Sequence, residues 1–97
     1  MDLTYCKSQR RKARTALRNY LVSFKSEIRQ EFNIVLPIES QLKNMKSDKF
    51  DTWFASVADI FAQNKEFDYV LTELIDEYLC CVNNVEIAEH ESNLNII

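Results

Sequence analysis

Along residues 13 to 32, apolar side chains return at Ala13, Ala16, Leu17, Tyr20, Leu21, Phe24, Ile28 and Phe32. Gaps of three and four residues, held over this length, are the period of one helix face, so the stretch predicts a long amphipathic helix. Asp2 or Thr4 is placed to cap its start, with Tyr5 and Cys6 in the first turn; Ser8 is a later alternative. The segment NIVLP (33–37) ends it. Asn33 suits a terminus, β-branched Ile34 and Val35 weaken a helix, and Pro37 biases Leu36 toward extended backbone. An apolar connection is expected there. Pro37 also fits the first turn of a new helix, so PIESQLKNM predicts a short one with Ile38 and Leu42 facing inward. Ser47 and Asp48 then open a third helix, whose Phe50, Trp53, Phe54, Val57, Ile60 and Phe61 again sit three or four apart. A fourth follows on Phe67, Val70, Leu71, Leu74, Ile75, Tyr78, Leu79 and Val82, with Asn83 and Asn84 as its terminators. From Val85 onward no helical stripe is sustained, which predicts an extended or flexible polar tail, anchored by Ile96 and Ile97. The fold class expected is all-α: a small helical bundle of three long helices plus one short helix, with a polar C-terminal tail. Residues 1–84 would form the single domain and 85–97 the tail.

Composition narrows the alternatives. At 97 residues there is material for one core but not two. Hydrophobic residues make up 46% of the chain, with ten Phe and Tyr and one Trp to fill an interior, which argues against disorder. Gly is absent and Pro occurs once, so the residues that make hairpin turns easy are missing and an all-β fold is disfavoured. No apolar run approaches the ~20 residues that span a bilayer, and the start of the chain lacks a signal peptide's apolar core. A cytoplasmic protein with no membrane partner is the expectation. Cys6, Cys80 and Cys81 are odd in number, which favours reduced thiols over a disulfide framework.

Charge is unevenly shared. The chain carries a net −3, yet residues 1–49 hold eleven Lys/Arg against five Asp/Glu (+6), and residues 50–97 hold one Lys against ten Asp/Glu (−9). Such asymmetry points to a partner, inside the fold or outside it. Lys7, Arg10, Arg11, Lys12 and Arg14 stand near the positive end of a helix macrodipole, where each cation costs a few tenths of a kcal/mol, so helix stability alone does not explain them. Three explanations compete. The cations form a solvated face paired across the bundle with Glu66, Asp68, Glu73, Asp76 and Glu77. Alternatively, they meet an acidic protein, or a second copy of the chain head to tail. The third explanation is nucleic-acid phosphates bound through residues 7–18, with Tyr5 or Gln9 nearby to stack or bond; against it stand the overall sign and the acidic half. With Ala13, Leu17, Tyr20 and Phe24 as the buried stripe, Arg11, Arg14, Arg18 and Lys25 fall on a neighbouring or opposite strip able to engage one extended surface. The acids of the fourth helix are the other candidate face, able to imitate phosphates toward a basic target.

Catalytic chemistry finds little footing. Cys80 and Cys81 with Cys6 and His90 offer four metal ligands, but adjacent helix residues point about 100° apart and the spacing is unlike C-x-x-C, so the cysteines read as small hydrophobes. His90 lies in the polar tail with no nucleophile beside it. Glu73, Asp76 and Glu77 form part of a hydrated face rather than a cleft. A phosphate-binding loop needs glycine. Trp53, Phe54 and Phe61 follow a buried stripe and read as core rather than as a binding cage, while Tyr5, Tyr69, Ile96 and Ile97 are freer to be interfacial.

The run EFNIVLPIESQLKNMKSDKFDTWF (31–54), about a quarter of the chain, resembles part of the theta subunit of bacterial DNA polymerase III. The shared features are the aromatic–Asn pair Phe32–Asn33, the proline-containing apolar turn and the pair Trp53–Phe54, aligned with a gap; the acidic last helix has no counterpart there. The resemblance implies a helical accessory protein without its own catalysis. From the residues themselves the expectation is similar: a non-enzymatic protein-binding module that modulates or inhibits a macromolecular partner through a charged helical face, as inhibitors, immunity proteins, antitoxins and accessory subunits do. Its partner-binding residues would be Arg10, Arg11, Arg14 and Arg18, or Asp68, Glu73, Asp76 and Glu77. No cofactor, metal or small-molecule substrate is expected, and the alternative is a nucleic-acid binder using the basic first helix.

Overall fold

The computed structural model describes residues 2–32, 39–63 and 68–94, including every side chain among them except those of 24–29, 31, 32, 39 and 94. The expected turn at 33–37, and the side chains of Phe24, Lys25, Ile28, Ile38, Glu66, Phe67, Ile96 and Ile97, lie outside the described residues. Within them the chain is an all-α bundle: α1 (Leu3–Phe32), α2 (Glu39–Asn44), α3 (Ser47–Gln63) and α4 (Tyr69–Leu94). Two helices are long, at 30 and 26 residues; α3 is of medium length at 17 and α2 is short at 6. None is long and apolar enough to cross a membrane.

Local chemistry sets the helix starts. Asp2 caps α1, its Oδ1 accepting from the backbone N–H of Thr4 at 2.9 Å and of Tyr5 at 3.4 Å. Asp68 does the same for α4, accepting from Leu71 N–H at 3.1 Å, while its carbonyl accepts the first intrahelical bond from Thr72. Each cap satisfies donors that a helix start leaves bare, which is worth about 1 kcal/mol.

α1 and α4 form the spine, lying side by side over the most extensive backbone contact; α1 and α2 come next. The two long helices run antiparallel. Leu3 and Cys6 at the start of α1 pack on Val85 and Ala88 late in α4, while Tyr20, further along α1, donates its hydroxyl to Asp68 just before α4. α4 buries Leu71, Tyr78 and Val85 at intervals of seven, interleaved with Ile75, Cys81 and Ala88. That is the seam of a coiled-coil-like pair. α3 packs against this spine with its aromatics. Phe50 and Phe54 are fully buried and meet the Tyr78 ring edge-on at 5.9 and 5.3 Å, and Phe61 stacks beyond Phe54. Trp53 and Val57 are half-buried against the same cluster, Leu42 closes it from α2, and Ile60 is exposed.

Two expectations change. α4 does not stop at Asn83 and Asn84, and residues 85–94 are helical rather than an extended tail. Asparagine costs a helix about 0.7 kcal/mol relative to alanine, less than is recovered by burying Val85 and Ala88 against Cys6 and Leu3. Ala16 faces solvent, because the buried face of α1 is rotated toward α3 and takes in Arg14 instead.

Candidate functional site

Arg10, Arg14 and Arg18 follow one another at i, i+4 and i+8, a row about 6 Å apart along the helix axis. The row does not point to solvent. Arg14 is 5% exposed, and Arg10 and Arg18 are half-buried. Arg14 donates from Nε to Asp51 Oδ1 and from Nη2 to Oδ2, both at 2.9 Å, a planar two-bond clamp that fixes α1 to α3. The Tyr78 hydroxyl donates to the same Asp51 Oδ1, so α4 joins the clamp. Burial pushes the Asp51 carboxyl upward, but the bonds from Arg14 and Tyr78 outweigh it and hold the pKa below the usual carboxylate value. The bond to Asp51 raises Arg14, and burial followed by the Tyr78 hydroxyl's own bond to Asp51 raises the Tyr78 phenol far above its ordinary range.

Among the described residues, no carboxylate pairs with Arg18. Its guanidinium sits over the Phe50 ring, 4.9 Å from the centroid, and its Nε and Nη2 are buried without a hydrogen-bond partner among the described residues. Burial, then repulsion from Arg14, lowers its pKa. The ring face offers about 1 kcal/mol of compensation. Arg10 Nε is likewise buried without a partner among the described residues. Arg14 therefore binds Asp51 directly, while Arg10 and Arg18 act on the same carboxylate only through their charge.

The structure separates the eight residues expected to bind a partner. Arg14 is engaged internally with Asp51, which corrects its placement on an outward strip: the α1 interface is wide enough to include it. Arg10 and Arg18 flank it, and Arg11 is exposed, together with Lys7 and Lys12. On the acidic side, Asp68 is occupied as the α4 cap and by the Tyr20 hydroxyl at 2.7 Å; the backbone bond from Leu71, then that from Tyr20, keep its pKa low. Glu73, Asp76 and Glu77 are exposed on α4. Val70 and Leu74 join them in lining a shallow groove of about 510 Å³. The nearby Glu73 carboxylate raises the Tyr69 pKa. The Cys81 thiol lies 3.7 Å from Glu77 Oε1, its pKa raised by burial and then by Glu77. Cys6 and Cys81 are buried and Cys80 exposed, all three as free thiols. His90 is exposed in the C-terminal part of α4.

Asp51, Tyr78 and Phe50, which organise the arginine row, carry no functional signal in the sequence. The spacing of three arginines at four-residue intervals was available, and it marks a helix face turned toward an acceptor. Its acceptor lies 37 residues away in the chain. No protein-family model, curated protein or solved structure matches this chain, so the resemblance of residues 31–54 to the theta subunit gains no support.

Proposed function

We propose that this chain is a non-catalytic protein-binding module that meets a basic, partly apolar surface of another protein through the outer face of α4, and modulates that partner by occlusion or scaffolding. One observation carries the reading: α4 exposes Glu73, Asp76, Glu77, Glu86, Glu89 and Glu91, contains no Lys or Arg, and among the described residues no cation pairs with Glu73, Asp76 or Glu77. A one-sign face of this kind steers an oppositely charged partner and sets its register. Val70 and Leu74 between the carboxylates supply the apolar contact that gives such an interface its affinity. The reading places the protein in the cytoplasm, where its thiols stay reduced.

The alternative, phosphate binding by residues 7–18, is weakened by the turn of Arg14 into the core, which leaves Lys7, Arg11 and Lys12 as the exposed cations of that stretch. Affinity capture from the native cell compares the wild-type chain with Glu73→Lys/Asp76→Lys. The variant should keep wild-type helicity and melt within about 0.5 kcal/mol of it, since both positions are exposed, and should lose a protein that the wild type releases as salt is raised. Retention of that protein by the variant, or its loss on Arg11→Glu instead, overturns the assignment to α4.

A further inference from the structure

A pocket of about 160 Å³ opens where α1, α3 and α4 meet, away from the acidic groove. Buried Phe54 and Tyr78 line it together with Leu79 and Val82, and Leu79 is 39% exposed. Its polar end is Arg10 and Asp51. Asp51 is already engaged there, receiving two N–H bonds from Arg14 and the Tyr78 hydroxyl. Arg10 is not: its Nε–H is buried without an acceptor among the described residues. A buried donor left without an acceptor destabilises the fold until a ligand or water meets it. Arg18 has the Phe50 ring as partial compensation, and no such ring contact holds Arg10 among the described residues. The hollow thus sets the guanidinium of Arg10, with its Nε–H unmet, beside apolar walls, while the one carboxylate in the lining, Asp51, is already bound by Arg14. A cationic ligand is repelled. Water alone answers Arg10 but leaves the walls wet.

We propose that this pocket binds a small apolar monocarboxylate, its carboxylate accepting from Arg10 and its carbon chain lying on Phe54, Leu79 and Val82. The volume, about five times a water's share of the liquid, suits a chain of about five or six carbons. A free short-chain acid and the C-terminal apolar residue of a peptide share this chemistry.

The test is a set of NMR titrations of the full chain with hexanoate, with hexan-1-ol and with an N-acetylated tripeptide ending in a free Leu carboxylate. Hexanoate should give saturable shifts at Phe54, Leu79 and Val82, with hexan-1-ol at least about tenfold weaker, since a hydrogen bond between charged groups contributes about 1.5–3 kcal/mol. Arg10→Gln should erase that preference, Lys7→Gln should leave it intact, and Val82→Phe should block both ligands. Tighter binding of the peptide than of hexanoate, with shifts extending past the pocket, assigns the source to a chain terminus; the reverse order assigns it to a free acid. Equal binding of acid and alcohol to the wild type, no saturable shift from either carboxylate, or an undiminished preference in Arg10→Gln overturns the proposal. The acid-against-alcohol comparison uses wild-type protein alone, so it decides the matter even if Val82→Phe does not fold.

Discussion

Asp51 accepts from Arg14 on α1 and Tyr78 on α4 while belonging to α3, and so ties three helices at one carboxylate. Removing one member of a buried pair usually costs about 3–5 kcal/mol, because the other charge is left uncompensated. The Asp51 side chain is 29% exposed, which screens the effect. Asp51→Asn should therefore lose about 2–3 kcal/mol at neutral pH, and Tyr78→Phe about 1 kcal/mol, both read from denaturant unfolding. The pH dependence has a defined sign. A carboxyl whose folded pKa lies below its unfolded value of about 3.9 contributes fully above that value and loses the contribution as pH falls through the folded pKa. The stability gap between wild type and Asp51→Asn should accordingly be constant from pH 5 to 7 and shrink below about pH 4; a gap that widens on acidification contradicts the clamp. Nothing local to Asp51 announces this role, since SDKFDTWF reads as a capped amphipathic start and the partners lie 37 and 27 residues away. Arg14 was misplaced for a related reason. Centring the α1 stripe on Ala13, Leu17 and Tyr20 left out the second neighbour that widens the buried face.

At the scale of elements, the helical periods of α1 from Ala13 onward and of α3 were legible because apolar residues recur there at each turn, and the Asp2 cap was among those expected. The last ten described residues of α4 were not. Their inward positions are Val85 and Ala88, both small, while Ile87 points outward at 40% exposure, so the stripe dissolves in the sequence although the interval of seven from Leu71 and Tyr78 continues. Their burial depends on α1 reaching back to Leu3 and Cys6. Truncation after Asn84 should then remove more than its own helical signal in circular dichroism. It should also lower global stability by about 2–4 kcal/mol, the cost of losing two buried side chains and exposing their counterparts. Unchanged stability after truncation would restore the tail to a dispensable extension. Asp68→Ala tests the other end of α4: loss of the cap and of the Tyr20 bond together should cost about 2 kcal/mol.

Over the whole molecule, the opposite charges of the two halves are sorted rather than cancelled. Part of the basic half turns inward along the arginine row, where it finds Asp51 and an aromatic ring, while the carboxylates of α4 stay outside. Arg14, one of the cations that burden the first turns of α1, therefore has a structural use the sequence did not display, while among the described residues no cation pairs with Glu73, Asp76 or Glu77 of the acidic face. The most direct measure of this sorting is hydrogen exchange at the arginine Nε–H groups, resolved by NMR in the wild-type protein. The account predicts slow exchange at Arg14, intermediate protection at Arg10 and Arg18, and fast exchange at Arg11. Exchange at Arg14 as fast as at Arg11 would mean that the row faces solvent and that the basic helix, not α4, presents the dominant charged surface.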